Sequence, residues 1–116
     1  MEPKTVIDPV TFSDLKALMG ADVVELVDTY NGETADLIEQ LRRALAAGDA
    51  AAFRRLAHSI KSSSASLGAL AFSQSARELE MMGRSGDLSS AAPGVESLAA
   101  GFMRVKARLE ELKNEP

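Results

Sequence analysis

From Val95 onward, Leu98, Phe102, Val105, Leu109 and Leu112 follow at alternating intervals of three and four residues without a miss. Only an α-helix with one buried face lines up such a series, because about 3.6 residues complete each turn. A helix that presents so long an apolar stripe must lay it against other helices, so the C-terminal third of the chain already demands a helical partner set.

The rest of the sequence supplies it. Asp8-Pro9 pairs a capping carboxylate with a proline at the first helical position, and Phe12, Leu15 and Leu18 follow at helical spacing up to Gly20. A second stripe runs from about Asp22 through Val27, Tyr30, Thr34, Leu37, Leu41 and Leu45 to Gly48; its register is unbroken across Asn31-Gly32, which predicts one long helix with room for a kink at that pair. Asp49 caps a third helix whose inward positions are Phe53, Leu56, Ile60, Ser63 or Ser64, and Leu67, closing at Gly68. The fourth runs from about Leu70 to Gly83 with Phe72, Ala76, Leu79 and Met82 inward, then a loop at Arg84-Ser85-Gly86-Asp87 and the last helix after Pro93. Met81 and Met82 read as gap-fillers. Short connections between helices of similar length predict an all-α protein, an antiparallel up-and-down four-helix bundle with an additional short N-terminal helix laid across one end, in a single domain over 1–116.

Composition narrows the chemistry. With no cysteine, disulfides, thiolate catalysis and Cys-based zinc sites are excluded. A net charge of −4 argues against nucleic acid as the main partner. No apolar run approaches the roughly 20 residues of a membrane span, which predicts a soluble, cytoplasmic protein.

One position invites chemistry. The only histidine, His58, falls about 160° around its helix from both Leu56 and Ile60, which predicts a ring facing solvent. Arg54 and Arg55 lie one turn before it, Lys61 and Ser62 one turn after, and Ala65 beyond. A neutral imidazole is a competent nucleophile, nearby cations stabilise an arriving phosphoryl group, and small neighbours leave room for a protein partner. A Ser-His-Asp hydrolase or a zinc centre needs further converging groups that one helix-borne histidine does not supply.

The string His58-Ser59-Ile60-Lys61-Ser62-Ser63-Ser64-Ala65-Ser66-Leu67-Gly68-Ala69 resembles the signature of histidine phosphotransfer domains: lysine at the third position after the histidine, small residues next, glycine at the tenth. Val6-Ile7-Asp8, Ala46-Ala47-Gly48-Asp49, Leu79-Glu80 and Gly86-Asp87-Leu88 extend the resemblance over about residues 6–112. It implies that His58 accepts a phosphoryl group from one receiver-domain aspartate and passes it to another, with Lys61 beside the phosphoryl oxygens. Partners would be receiver domains of hybrid sensor kinases and response regulators. The chain would need no cofactor of its own, magnesium being expected on the receiver, and no kinase or nucleotide site of its own. Ser62 stands where many members have glycine; its hydroxyl adds bulk and a hydrogen-bond donor.

Hairpin arithmetic adds a candidate. With the turn centred on Ala69, His58 and Glu80 are equidistant from it, so Glu80 is placed to accept a hydrogen bond from the ring and fix its tautomer. Arg77 and Arg84 are lesser candidates, with ordinary surface charge as their default reading. Leu15, Leu18 and Met19, with Arg54, Arg55 and Ala65, are candidate partner-binding residues, and a monomer is expected. The competing reading is a helical adaptor that binds a signalling partner through the same face without phosphoryl chemistry.

Overall fold

The computed structural model describes residues 5–115, which form five helices and no strand. These are α1 (Pro9–Met19), α2 (Asp22–Ala47), α3 (Ala50–Ser66), α4 (Leu70–Ser85) and α5 (Ala91–Lys113). Among the described residues no helix is long and apolar enough to cross a membrane.

Helices α2 to α5 pack in the cyclic order α2, α3, α4, α5 and back to α2, and α1 also packs on α2. The largest of the fully buried side chains between them are Phe53 and Ile60 from α3, Leu41, Val23 and Val27 from α2, Leu79 from α4, and Val95, Leu98 and Leu109 from α5. Burying one such side chain stabilises the fold by about 1.5–3 kcal/mol, so this shared core outweighs the helix propensities of the individual segments. Within it, Tyr30 and Ser64 join α2 to α3 through a buried 2.6 Å hydrogen bond between their hydroxyls.

α1 fastens one end of this assembly. Asp8 accepts hydrogen bonds from the Thr11 amide and hydroxyl, at 3.0 and 2.6 Å, and so caps α1. The Asp8 amide donates to the Gly68 carbonyl in the α3–α4 turn, 2.8 Å away. Gly68 has φ +90°, and a Cβ there would meet the Asp8 carbonyl at 3.1 Å, so both the turn and the docking of α1 call for glycine. Farther along α1, the Lys16 ammonium donates to the Leu112 carbonyl in the last turn of α5, 3.1 Å away.

Several helix limits and inward positions differ from the sequence reading. α2, by contrast, is one helix through the exposed Gly32, as its unbroken register predicts. α5 begins at Ala91, so Pro93 sits in its first turn, where its missing N–H costs no hydrogen bond. α4 continues two residues past Gly83, which places Arg84 and Ser85 on the helix rather than in a loop. Leu37, Leu45, Leu56, Met82 and Leu112 are only partly buried, whereas Ile38, Ala44, Ala57, Ser73 and Glu80 are buried.

Candidate functional site

The Asp49 carboxylate accepts from the Ala52 amide at 3.0 Å and starts α3. From there Phe53, Ala57, Ile60, Ser64 and Leu67 are buried in steps of four and three. The stripe runs through Ala57 rather than Leu56. His58 lies about 100° from Ala57 and about 140° from Phe53 at the centre of the stripe, so it faces outward as expected, on the side toward α4. Its side chain is 56% exposed.

The α4 residues buried toward the interior include small and polar ones, and they let the two helices approach closely. The Ser73 hydroxyl donates to the Lys61 carbonyl at 2.8 Å. At the other end, a Cβ on Gly83 would lie 2.8 Å from the Arg54 amide nitrogen and 2.9 Å from its Cα. Only glycine fits against that backbone.

Between these contacts Glu80 reaches across from α4. Its Oε2 lies 2.7 Å from His58 Nδ1, and its Oε1 lies 2.7 Å from the Lys61 ammonium. The carboxylate is 7% exposed. Burial alone would raise its pKa. The Lys61 hydrogen bond, followed by that from His58, outweighs burial and holds the carboxyl below the usual carboxylate range. An ionised carboxylate only accepts, so in the neutral ring Nδ1 carries the proton and Nε2 keeps its lone pair.

Beside the ring lies an open hollow of about 470 Å³, bordered on α3 by Arg54, Arg55, Leu56 and Ser59 and on α4 by Glu80 and Arg84. Arg54, Arg55 and Arg84 are exposed, and none has an ion-pair partner among the described residues. Ser62 is exposed and Ala65 half-buried on the same helix. Leu15, Leu18 and Met19 are elsewhere: they sit on α1, whose start is fastened to the turn at Gly68, about 15 Å along α3 from His58. None of the three borders the hollow, although Leu18 is 85% exposed. The sequence offers Arg84 only as a lesser candidate and gives Gly83 no place in the site. Their signal was available in the spacing, since Arg84 follows Glu80 by four residues and so shares its face of α4.

A helical protein with one histidine held at a helix flank by a buried carboxylate, and cations around it, is built to carry a small anion on an imidazole. The family described as Hpt domain matches residues 25–115. The chain is also similar to a solved structure, the histidine-containing phosphotransfer protein B (HptB) from Pseudomonas aeruginosa PAO1: 29% of residues are identical, 96% of each chain is covered, and the TM-score is 0.91. No curated protein sequence matches. The chain belongs to the Hpt domain family, and its function is histidine phosphotransfer in a phosphorelay.

Proposed function

We propose that Nε2 of His58 is the atom that carries the phosphoryl group between receiver-domain aspartates. Its lone pair attacks the phosphorus of a receiver's aspartyl phosphate, the P–O bond to the aspartate breaks, and that carboxylate leaves with the bonding pair. The P–N bond formed leaves positive charge on the ring, which the Nδ1–H donates toward Glu80. In the onward step a second receiver's aspartate attacks the phosphorus and the imidazole leaves. Glu80 is a positioning residue that fixes the tautomer, and Lys61 holds Glu80 ionised while standing near the phosphoryl oxygens. Ser62 adds a hydroxyl donor on the exposed face of α3. The supporting observation is the 2.7 Å approach of His58 Nδ1 to a buried carboxylate, which favours different tasks for the two ring nitrogens.

In this reading α2 to α5 are an antiparallel four-helix bundle in one domain. Residue pairs Arg54 and Gly83, His58 and Glu80, and Lys61 and Ser73 run in opposite directions along α3 and α4. Asp28 and Lys113, Asn31 and Glu110, and Arg42 and Glu96 do so along α2 and α5. The protein works in the cytoplasm as a monomeric carrier, its partners being receivers of hybrid sensor kinases and of response regulators. Magnesium belongs to the receiver, whose clustered carboxylates suit a hard cation.

The test is transfer from a panel of phosphorylated receivers to the protein and to His58→Gln, read by intact mass. The expected result is one acid-labile phosphoryl adduct on the wild type alone. An adduct that persists on His58→Gln overturns the assignment. Binding without any adduct favours the adaptor reading.

A further inference from the structure

We infer that a cleft between α4 and α5 binds a small monoanionic amphiphile, a short-chain carboxylate, with its head group on Arg104 and its apolar body against Phe72. The cleft holds about 270 Å³, is lined by both helices and by the segment before α1, and shares no residue with the hollow beside His58. Its floor is apolar and belongs to the core, since Phe72, Leu98 and Val105 are each at most 6% exposed. Thr5, Ser75 and Ser97, all exposed, set hydroxyls around it. An apolar floor with a few polar groups at the rim is the usual make-up of a small-molecule site.

The space exists because both helices carry small residues where they pass, Ala71 and Ser75 on α4 and Ser97 and Gly101 on α5. A Cβ on Gly101 would find Phe72 Cδ1 at 3.5 Å, an ordinary contact, and the backbone there is regular helix. Alanine would fit and would favour the helix. Packing thus demands glycine at Gly68 and Gly83 but not at Gly101, where glycine supplies room. That same Cβ would lie 3.7 Å from a terminal nitrogen of Arg104, so the guanidinium folds back along α5 over the cleft. Arg104 has no ion-pair partner among the described residues and is the one cation among them that lines the cleft. One guanidinium matches one carboxylate through paired donors. A phosphate dianion would be left half-neutralised on a chain of net charge −4. At about 30 Å³ for each water-sized group, the cleft has room for on the order of nine non-hydrogen atoms, the size of hexanoate. A partner helix, about 10 Å across with its side chains, does not enter such a space.

A ligand in this cleft leaves His58 free, so the site is tested without phosphoryl transfer. Hexanoate is titrated into the isotope-labelled full chain and followed by amide NMR. Hexylammonium (the same body with opposite charge), acetate (the head group alone) and inorganic phosphate serve as comparisons. Expected is a saturable shift of the Ser75, Ser97 and Gly101 amides with a Kd on the order of 1 mM. Each comparison should bind at least roughly tenfold more weakly, as should hexanoate to Arg104→Gln, which loses a charged hydrogen-bond donor. Gly101→Leu should abolish binding by filling the cleft, and Gly101→Ala should raise the thermal midpoint and weaken binding less. Arg104 is exposed, so Arg104→Gln carries the test even where Gly101→Leu does not fold. No saturable shift, equal binding of any comparison, or a Kd unchanged by Arg104→Gln overturns the inference. So does a folded Gly101→Leu that binds hexanoate normally, or a response centred on His58 and Arg84, which would place the anion among the hairpin cations instead.

Discussion

Glu80 meets His58 Nδ1 at 2.7 Å across the α3–α4 interface, although 22 residues separate them in the chain. The same carboxylate holds Lys61 with its second oxygen. One buried group thereby touches both the imidazole and the Lys61 ammonium.

Replacing that carboxylate separates its two tasks. Glu80→Ala removes both and should slow transfer roughly ten- to hundredfold, the range seen when hydrogen-bond partners of metal-ligating histidines are removed. Glu80→Gln keeps an acceptor for Nδ1–H and loses the charge that holds Lys61, so its loss should be smaller. Nitrogen NMR of the imidazole checks the cause: Glu80→Ala should lose the preference for the Nδ1–H tautomer, and Glu80→Gln should retain it.

The depressed Glu80 pKa makes the pairing pH-dependent. Its folded-state value lies below its unfolded value, so the ionised group contributes stability above the usual carboxylate range and loses it as pH falls through the depressed folded value. Denaturant midpoints of the wild type and Glu80→Gln should differ most near pH 7 and converge under acid. A difference independent of pH would contradict this assignment.

Gly83→Ala should destabilise the protein by about 1–3 kcal/mol, because its methyl would press on the Arg54 backbone rather than on a movable side chain. Thermal unfolding measures the loss. A variant that folds by parting α3 from α4 should also show a weaker His58–Glu80 contact, visible in the same NMR experiment.

Leu18→Asp should leave stability within about 0.5 kcal/mol, since the side chain is 85% exposed. If α1 contributes to docking, receiver binding weakens by about 1 kcal/mol, roughly fivefold in Kd. Unchanged binding confines docking to the α3–α4 hairpin.

Helix order and most of the large buried side chains were legible in the sequence, because Val95, Phe102, Phe53 and Leu79 carry strong hydropathy at helical spacing. The close face between α3 and α4 was legible only at Glu80, which hairpin arithmetic sets level with His58 and which lies 2.7 Å from its Nδ1. The rest is built from Ala57, Ser73 and Gly83, and small or polar residues leave no mark on an apolar stripe. The sequence draws the stripe through Leu56 and Met82, whereas their neighbours Ala57 and Gly83 are the buried positions; the outward placement of His58 holds, its side chain being 56% exposed. Gly83 was read as a helix end because glycine commonly ends helices; its reason lies in the Arg54 backbone, a partner that no local pattern reveals. Pro93 was similarly taken as a boundary when it is a first-turn residue.

The turn at Gly68 makes chain length itself a functional constraint. One residue inserted between Gly68 and Glu80, with helical phase propagated, would rotate the carboxylate about 100° and shift it about 1.5 Å along α4, away from the ring. Point substitutions on the outer faces of these helices can accumulate without touching the contact, whereas a single-codon insertion or deletion would abolish it. Over the course of divergence, the interval of 22 residues from imidazole to carboxylate is the quantity the gene must preserve.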